Sequence, residues 1–259
     1  MSEAPPALSE DQISGALFVR YNALALIAAL VLIAIGAAMG GSADSPTGYD
    51  PSGWLGSAHW AQHVGEVEVS RYEATAKVHT YTLTQRVGLT RGRLRLGTCR
   101  DLGDAHESVS LEVSARDARR LEGARVAPCG WESTGTQEVR RGLGGVRHAG
   151  GQLPEDVVLA DQLALLVRTL ASEAKLELQL LPGLSLSQPG PAPAVLRHAG
   201  VESVSVPAGT FSCDRFTLES GSERWQYWVA RTPERPLVRY ETPVASGVLL
   251  SRVWKTPGR

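Results

Sequence analysis

Lysine is almost missing from this 259-residue chain, which has only Lys77, Lys175 and Lys255, and arginine supplies the rest of its 26 basic residues against 27 acidic ones. The formal charge is therefore only -1, and the arginines are dispersed, without the basic domain or stripe that a nucleic-acid footprint needs. DNA and RNA are excluded as partners. The densest group, Arg91-Gly-Arg93-Leu-Arg95, alternates with other residues as the solvent face of a strand would. Cysteine is scarce too. Cys99, Cys129 and Cys213 form no C-x-x-C, so a thioredoxin-like redox centre and a zinc knuckle have no basis. In an oxidising compartment the expected disulfide joins Cys99 to Cys129, which share one half of the chain, and leaves Cys213 over.

Catalytic signatures are missing as well. No G-x-S-x-G occurs, and Gly183-Leu-Ser-Leu-Ser187 lacks both the second glycine and the strand-turn-helix setting of a nucleophile elbow. Gly142-Leu-Gly-Gly145 has no lysine to reach a phosphate. The histidine pair in His59-Trp-Ala-Gln-His63 has the spacing of one helix face, but no glutamate follows the first histidine and no third ligand is fixed. The expectation is a protein that is not an enzyme, with no metal and no cofactor.

What the chain does have is one long apolar run near its start. No charge occurs from Tyr21 to Ala43, and at roughly 1.5 Å per residue a helix of that length covers the hydrocarbon layer, about 30 Å thick. The leader before it carries Glu3, Glu10 and Asp11 against Arg20 alone, and the run exceeds the short apolar core of a signal peptide. An uncleaved anchor is expected, with cleavage after Gly41-Ser42-Ala43 as the alternative. Arg20 before the run and Asp44 after it orient the leader to the cytoplasm. The expected organisation is a cytoplasmic leader (1–20), a transmembrane or signal-anchor helix (21–43), a Gly/Ser/Pro-rich tether (44–56) and a periplasmic β-rich domain (57–259). This locates the protein in a bacterial inner membrane as a single-pass chain, or in the periplasm after cleavage.

Within the exported part, Glu66-Val-Glu-Val-Ser-Arg-Tyr72 alternates, which puts Val67 and Val69 on a buried face and Glu66, Glu68 and Ser70 on the other. Further strands are expected at 76–86, 91–99, 108–113, 131–140 and 175–181, then at 194–206, 211–219, 223–230, 237–241 and 248–255. Short turns of glycine, proline and aspartate separate them, so neighbours should pair antiparallel in a meander. Arg141–Gly145 and Gly150-Gly151 read as loop, and so does 182–193. One helix opens at Pro154-Glu155-Asp156 and carries a stripe of Leu159, Leu163, Leu166 and Leu170, expected to lie across a sheet face.

Val204-Ser-Val-Pro-Ala-Gly209-Thr-Phe-Ser-Cys213, Trp225-Gln-Tyr-Trp-Val229 and Pro236-Leu-Val-Arg-Tyr240 together resemble the C-terminal pattern of uncharacterised bacterial envelope domains grouped as TapB-like, or as domain of unknown function 3108. Gly65-Glu-Val-Glu68-Val-Ser-Arg-Tyr72 is similar to the opening strand of such exported proteins. The likeness does not extend to 97–151. It implies a strongly curved antiparallel sheet, partly wrapped around a helix, in the periplasm, and no reaction. The expected fold class is thus α+β, mainly β: a curved antiparallel meander, an open half-barrel with one packed helix, behind the N-terminal span.

On such a sheet Glu68 is either an exposed strand residue or, if its face curves inward beside Tyr72, a partner for a ligand head group. Trp225 and Tyr227 share one face of their strand and Trp228 takes the other, and aromatic side chains with polar tips suit a groove. Glu68, Tyr72, Trp225, Tyr227 and Trp228 are the candidate lining residues. The expected function is binding of an apolar or amphipathic envelope ligand, a lipid or lipoprotein. The alternative is a structural or assembly protein that holds an envelope protein and has no ligand cavity.

Overall fold

The computed structural model describes residues 63–256, apart from 64, 78, 91, 102–105, 116, 129–135, 143–144, 149–150, 155, 172–173 and 183–189. All of them belong to one compact unit, Pro46–Arg259. The expected leader, span and tether lie outside the described residues. Among the described residues no helix is long and apolar enough to cross a membrane.

Fifteen strands are described, all in one sheet. The first eight are β1 (Val67–Ala76), β2 (His79–Thr90), β3 (Arg93–Asp101), β4 (His106–Ser114), β5 (Leu121–Pro128), β6 (Thr136–Gly142), β7 (Gly145–His148) and β8 (Gly151–Leu153). The rest are β9 (Val157–Leu159), β10 (Lys175–Leu181), β11 (Ala192–Val206), β12 (Gly209–Ser220), β13 (Glu223–Ala230), β14 (Leu237–Glu241) and β15 (Ser246–Lys255). The spatial order runs from β8 down to β1, then β15 down to β9. Each strand thus pairs with its sequence neighbour, and β1 pairs antiparallel with β15. The two outer strands, β8 and β9, are consecutive in the chain. Pro154–Asp156 joins them, and Val157 N–H donates to the Pro154 carbonyl (3.4 Å). Three linking residues let the two edges stand at most about 14 Å apart there. The sheet is nearly closed and barrel-like, wider than the expected half-barrel.

One pair breaks the antiparallel rule. β9 and β10 are parallel, as a strand-helix-strand crossover requires. The crossover contains a 3-10 turn at Ala160–Gln162 and helix α1, Leu163–Thr169. The helix expected to begin at Pro154 therefore starts later. Val157-Val158-Leu159, fully buried and with two β-branched residues, forms a strand edge instead. Nor is α1 amphipathic. Every residue from Leu163 to Thr169 is buried, including Arg168, which is the pattern of a helix enclosed on all sides. It packs into the continuous core that also contains Tyr72, Leu94, Leu111, Leu121, Val146, Leu180, Phe216 and Tyr227.

Three further expectations need correction. Leu121–Pro128, not expected as a strand, is β5, and Gly145 and Gly151, expected in loop, open the short strands β7 and β8. Short side chains at Gly123 and Ala124 blur the alternation of β5, while pairing to β4 supplies the order that its sequence does not signal. The third concerns β1. Tyr72 and Ala74 point into the core, so by alternation Glu68 and Ser70 do as well. The face read as polar and outward is the interior face. Val67 and Val69 are covered too, and both sides of β1 are buried here.

Candidate functional site

Helix α1 ends beside the start of β1, the end of β15 and the β13–β14 loop, and their charged side chains meet at this mouth of the sheet. The loop Arg231-Thr-Pro-Glu-Arg235 is closed by a bond from Ala230 N–H to the Pro236 carbonyl (2.9 Å) and one from Arg235 N–H to the Thr232 carbonyl (3.0 Å). Arg235 adopts φ +45°, a left-handed conformation that a non-glycine residue takes only when its surroundings hold it there.

Here the surroundings are α1 itself. Arg235 donates from Nε to the Arg168 carbonyl (2.8 Å) and from Nη2 to the Leu170 carbonyl (3.0 Å). These are among the carbonyls that a helix C-terminus leaves without intrahelical partners, and a cation is favoured there. Arg168 answers from Nε to the Arg235 carbonyl (2.8 Å) and from Nη2 to the Glu234 carbonyl (3.0 Å). Its Nη2 also reaches Glu68 Oε2 at 2.8 Å, an ion pair in which the side chains are 4% and 1% exposed. The same carboxylate oxygen takes Arg252 Nη2 at 3.2 Å, and Ser70 Oγ donates to Oε1 at 3.2 Å.

β-Pairing dictates this meeting. Glu68 stands opposite Trp254 and Ser70 opposite Arg252, so Glu68 and Arg252 are diagonal neighbours on one face. Burial alone would raise the Glu68 pKa. The two guanidiniums outweigh it and hold the carboxyl below its ordinary value.

A second buried carboxylate lies on the other side of Arg235. Asp214, on the inner face of β12, has Arg235 Nη1 at 3.2 Å, His198 Nε2 at 3.3 Å and Arg231 Nε at 3.6 Å. The network thus runs Arg231–Asp214–Arg235–Arg168–Glu68–Arg252. At the start of β1, His63 hydrogen-bonds Glu66 and stacks on Trp254, with ring centroids 4.0 Å apart.

The structure brings together two of the five candidate lining residues at this mouth. Glu68 belongs to the network, and Tyr72 follows it on β1 and donates from its hydroxyl to the Leu237 carbonyl (3.1 Å). Trp225 and Tyr227 lie on the inner face in the main core. Trp228 lies on the opposite face, in a second cluster with Val204, Cys213, Ala230 and Val238. There its indole donates to Glu202 and the Arg239 guanidinium covers its ring, 4.8 Å from the centroid. All five are buried, none more than 5% exposed. Burial also drives the phenols of Tyr72, Tyr227 and Tyr240 upward from their ordinary value.

Of the histidine pair, His59 lies outside the described residues, and His63 is engaged with Glu66 and Trp254. No group of three His, Cys, Asp or Glu able to hold a metal occurs among the described residues. Cys99 is disulfide-bonded, Cys213 is a buried free thiol, and Cys129 lies outside the described residues. Sequence reasoning missed Arg168, Arg235, Arg252 and Asp214. One signal was available: an arginine inside the apolar run Leu163-Ala-Leu-Leu-Val-Arg168 demands a buried acid.

No protein-family model matches the chain, and no curated protein matches it. The TapB-like resemblance therefore rests on the quoted motifs alone. Two solved structures are similar at low identity. A presumed exported protein with YmcC-like fold from Bacteroides fragilis is 13% identical, with a TM-score of 0.29 over 73% of this chain and 96% of that one. A presumed lipoprotein from Parabacteroides distasonis is 10% identical, with a TM-score of 0.32 over 74% of this chain and 96% of that one.

Proposed function

We propose that this chain is a non-enzymatic structural protein of the bacterial cell envelope, exported and tethered through the apolar segment 21–43, whose barrel-like sheet is kept rigid by an internal helix. The observation that supports this reading is the packing inside the sheet. Every side chain of α1 is buried, and Tyr72, Trp225 and Tyr227, the candidates for an inner lining, join the same core. A small-molecule site usually needs a cleft of about 300–1,000 Å³, and these side chains give their surface to one another and to α1. The charged residues serve the same end, since Arg168 and Arg235 spend their donors on backbone carbonyls and buried carboxylates.

The second reading, a carrier of an amphipathic ligand, is favoured by one observation: a largely apolar interior lies beneath a mouth rich in arginine. Native mass spectrometry of the full chain, released from detergent after purification from its own membranes, separates the two. A clean protein mass that stays clean after incubation with total envelope lipid supports the structural reading. A stoichiometric lipid adduct overturns it and identifies the ligand class.

A further inference from the structure

At the mouth, four guanidiniums share two carboxylates. Arg168 and Arg235 each donate at least three hydrogen bonds to carbonyls and carboxylates, and Arg252 donates one. Its one hydrogen bond is the 3.2 Å contact from Nη2 to Glu68 Oε2, and that oxygen is held more closely by Arg168 at 2.8 Å. Its Nε is buried without a hydrogen-bond partner, and its Nη1 makes no hydrogen bond. The side chain as a whole is 18% exposed, against 4% for Arg168. The Trp254 ring flanks it, 5.5 Å from Cζ to the centroid, and His63 backs that ring. Glu68 is thus shared by two guanidiniums, and Arg252, the more distant of them, keeps donors that no acceptor takes up. A planar guanidinium with donors to spare matches a carboxylate or phosphate group, and a cluster of four guanidiniums around two carboxylates favours one more negative charge.

We propose that the mouth is an anion site, in which one carboxylate or phosphate group docks on Arg252 beside Trp254. The site follows from the geometry of the mouth and does not depend on whether the interior carries a ligand. The same chemistry is offered by a free small anion and by the head group of an anionic lipid.

The test is thermal unfolding of the full chain in dodecyl maltoside micelles, with inorganic phosphate or chloride at equal ionic strength and with micelles doped with phosphatidylglycerol or phosphatidylcholine. The expected result is a saturable rise in Tm with phosphate over chloride, lost in R252Q and weakened in R252K, which keeps the charge without the fork. A rise with phosphatidylglycerol but not with inorganic phosphate supports the site and assigns it to a lipid head group. Equal Tm values in phosphate and chloride and in both lipids overturn the proposal. A rise that persists in R252Q also overturns it, since the anion then binds elsewhere. The wild-type comparison stands even if R252Q does not fold.

Discussion

Arg168 and Arg235 hold each other by the backbone: the Nε of each donates to the main-chain carbonyl of the other, both at 2.8 Å. One residue is near the end of an enclosed helix and the other is in the loop between β13 and β14. Replacing Arg168 by Met keeps most of its volume but leaves Glu68, which is 1% exposed, with only the more distant Arg252 as counter-charge, and removing one partner of a buried ion pair costs about 3–5 kcal/mol. Chemical denaturation should show R168M losing stability on that scale. R168M with E68Q should recover part of the loss, because the neutral amide needs no counter-charge. Equal stability of R168M and wild type would remove the latch from the account of the fold.

Acid should loosen the same latch. The Glu68 pKa is lowered in the folded state from an ordinary value of 4.5. The unfolded chain therefore binds the proton more readily, and stability gained from this group is present above pH 4.5 and lost as pH falls below it. A Tm series from pH 6 to pH 3 should decline more steeply for wild type than for E68Q. Parallel curves would show that Glu68 gives no pH dependence.

Helix α1 is tied at its start as well as at its end. Gln162, wholly buried, donates from its amide to the Ala118 (2.5 Å) and Arg119 (3.0 Å) carbonyls, and its Oε1 accepts from Leu159 N–H at 3.2 Å. Q162L matches it in size and removes these three buried hydrogen bonds, with an expected cost of about 1–3 kcal/mol. Amide hydrogen exchange should show that loss concentrated in 159–169 and in the 117–121 turn.

Gly247 on β15 faces the ring of Tyr240 so closely that a methyl group there would lie 2.6 Å from Cζ. G247A should therefore destabilise by about 1–3 kcal/mol through overpacking. The second substitution Y240L should relieve it. A G247A protein as stable as wild type would mean that the ring has room to shift.

The cysteines give a redox prediction. Cys99 is already oxidised, and Cys129 is proposed as its partner, with Cys213 free. Burial, with the charges of Asp214 and Glu202, pushes the Cys213 thiol up to about 11, far from the thiolate form at neutral pH. A thiol reagent at pH 8 should leave the native protein unlabelled and add one label after unfolding without reductant. Peptide mapping under non-reducing conditions should recover a Cys99–Cys129 cross-link, and three labels on the unfolded chain would refute the pairing.

Much of the sheet was legible, and the regions that were not share a cause. Lys175–Leu181, Glu223–Ala230 and Leu237–Glu241 are strands with the expected bounds, because apolar alternation and turn residues coincide there. The face assignment of Trp225 and Tyr227 against Trp228 also holds, since parity alone decides it. For β1, Val67 and Val69 are buried as expected, but Glu68 and Ser70, read as its polar face with an inward Glu68 as the alternative, are buried too. Polar residues are placed outward by default, and the two arginines that reverse the default lie 100 and 184 positions away. Charge compensation across such separations leaves no local pattern. The start of α1 failed for a related reason: Pro154 and the acids after it suit a helix N-terminus, but the chance to extend the sheet beside β10 won.

The pairing of β1 with β15 also has a kinetic meaning. The first described strand finds one of its two neighbours only when the last described strand, Ser246–Lys255, is available. If the chain crosses a membrane from its N-terminus onward, one edge of β1 stays open throughout the passage, with Tyr72 and the Glu68 carboxylate not yet covered. Pairing between remote segments is slow, and an open strand edge invites association with other chains. The same arrangement puts the first and last strands side by side. A permuted chain that joins them by a short linker and opens elsewhere would turn the slowest closure into a local hairpin.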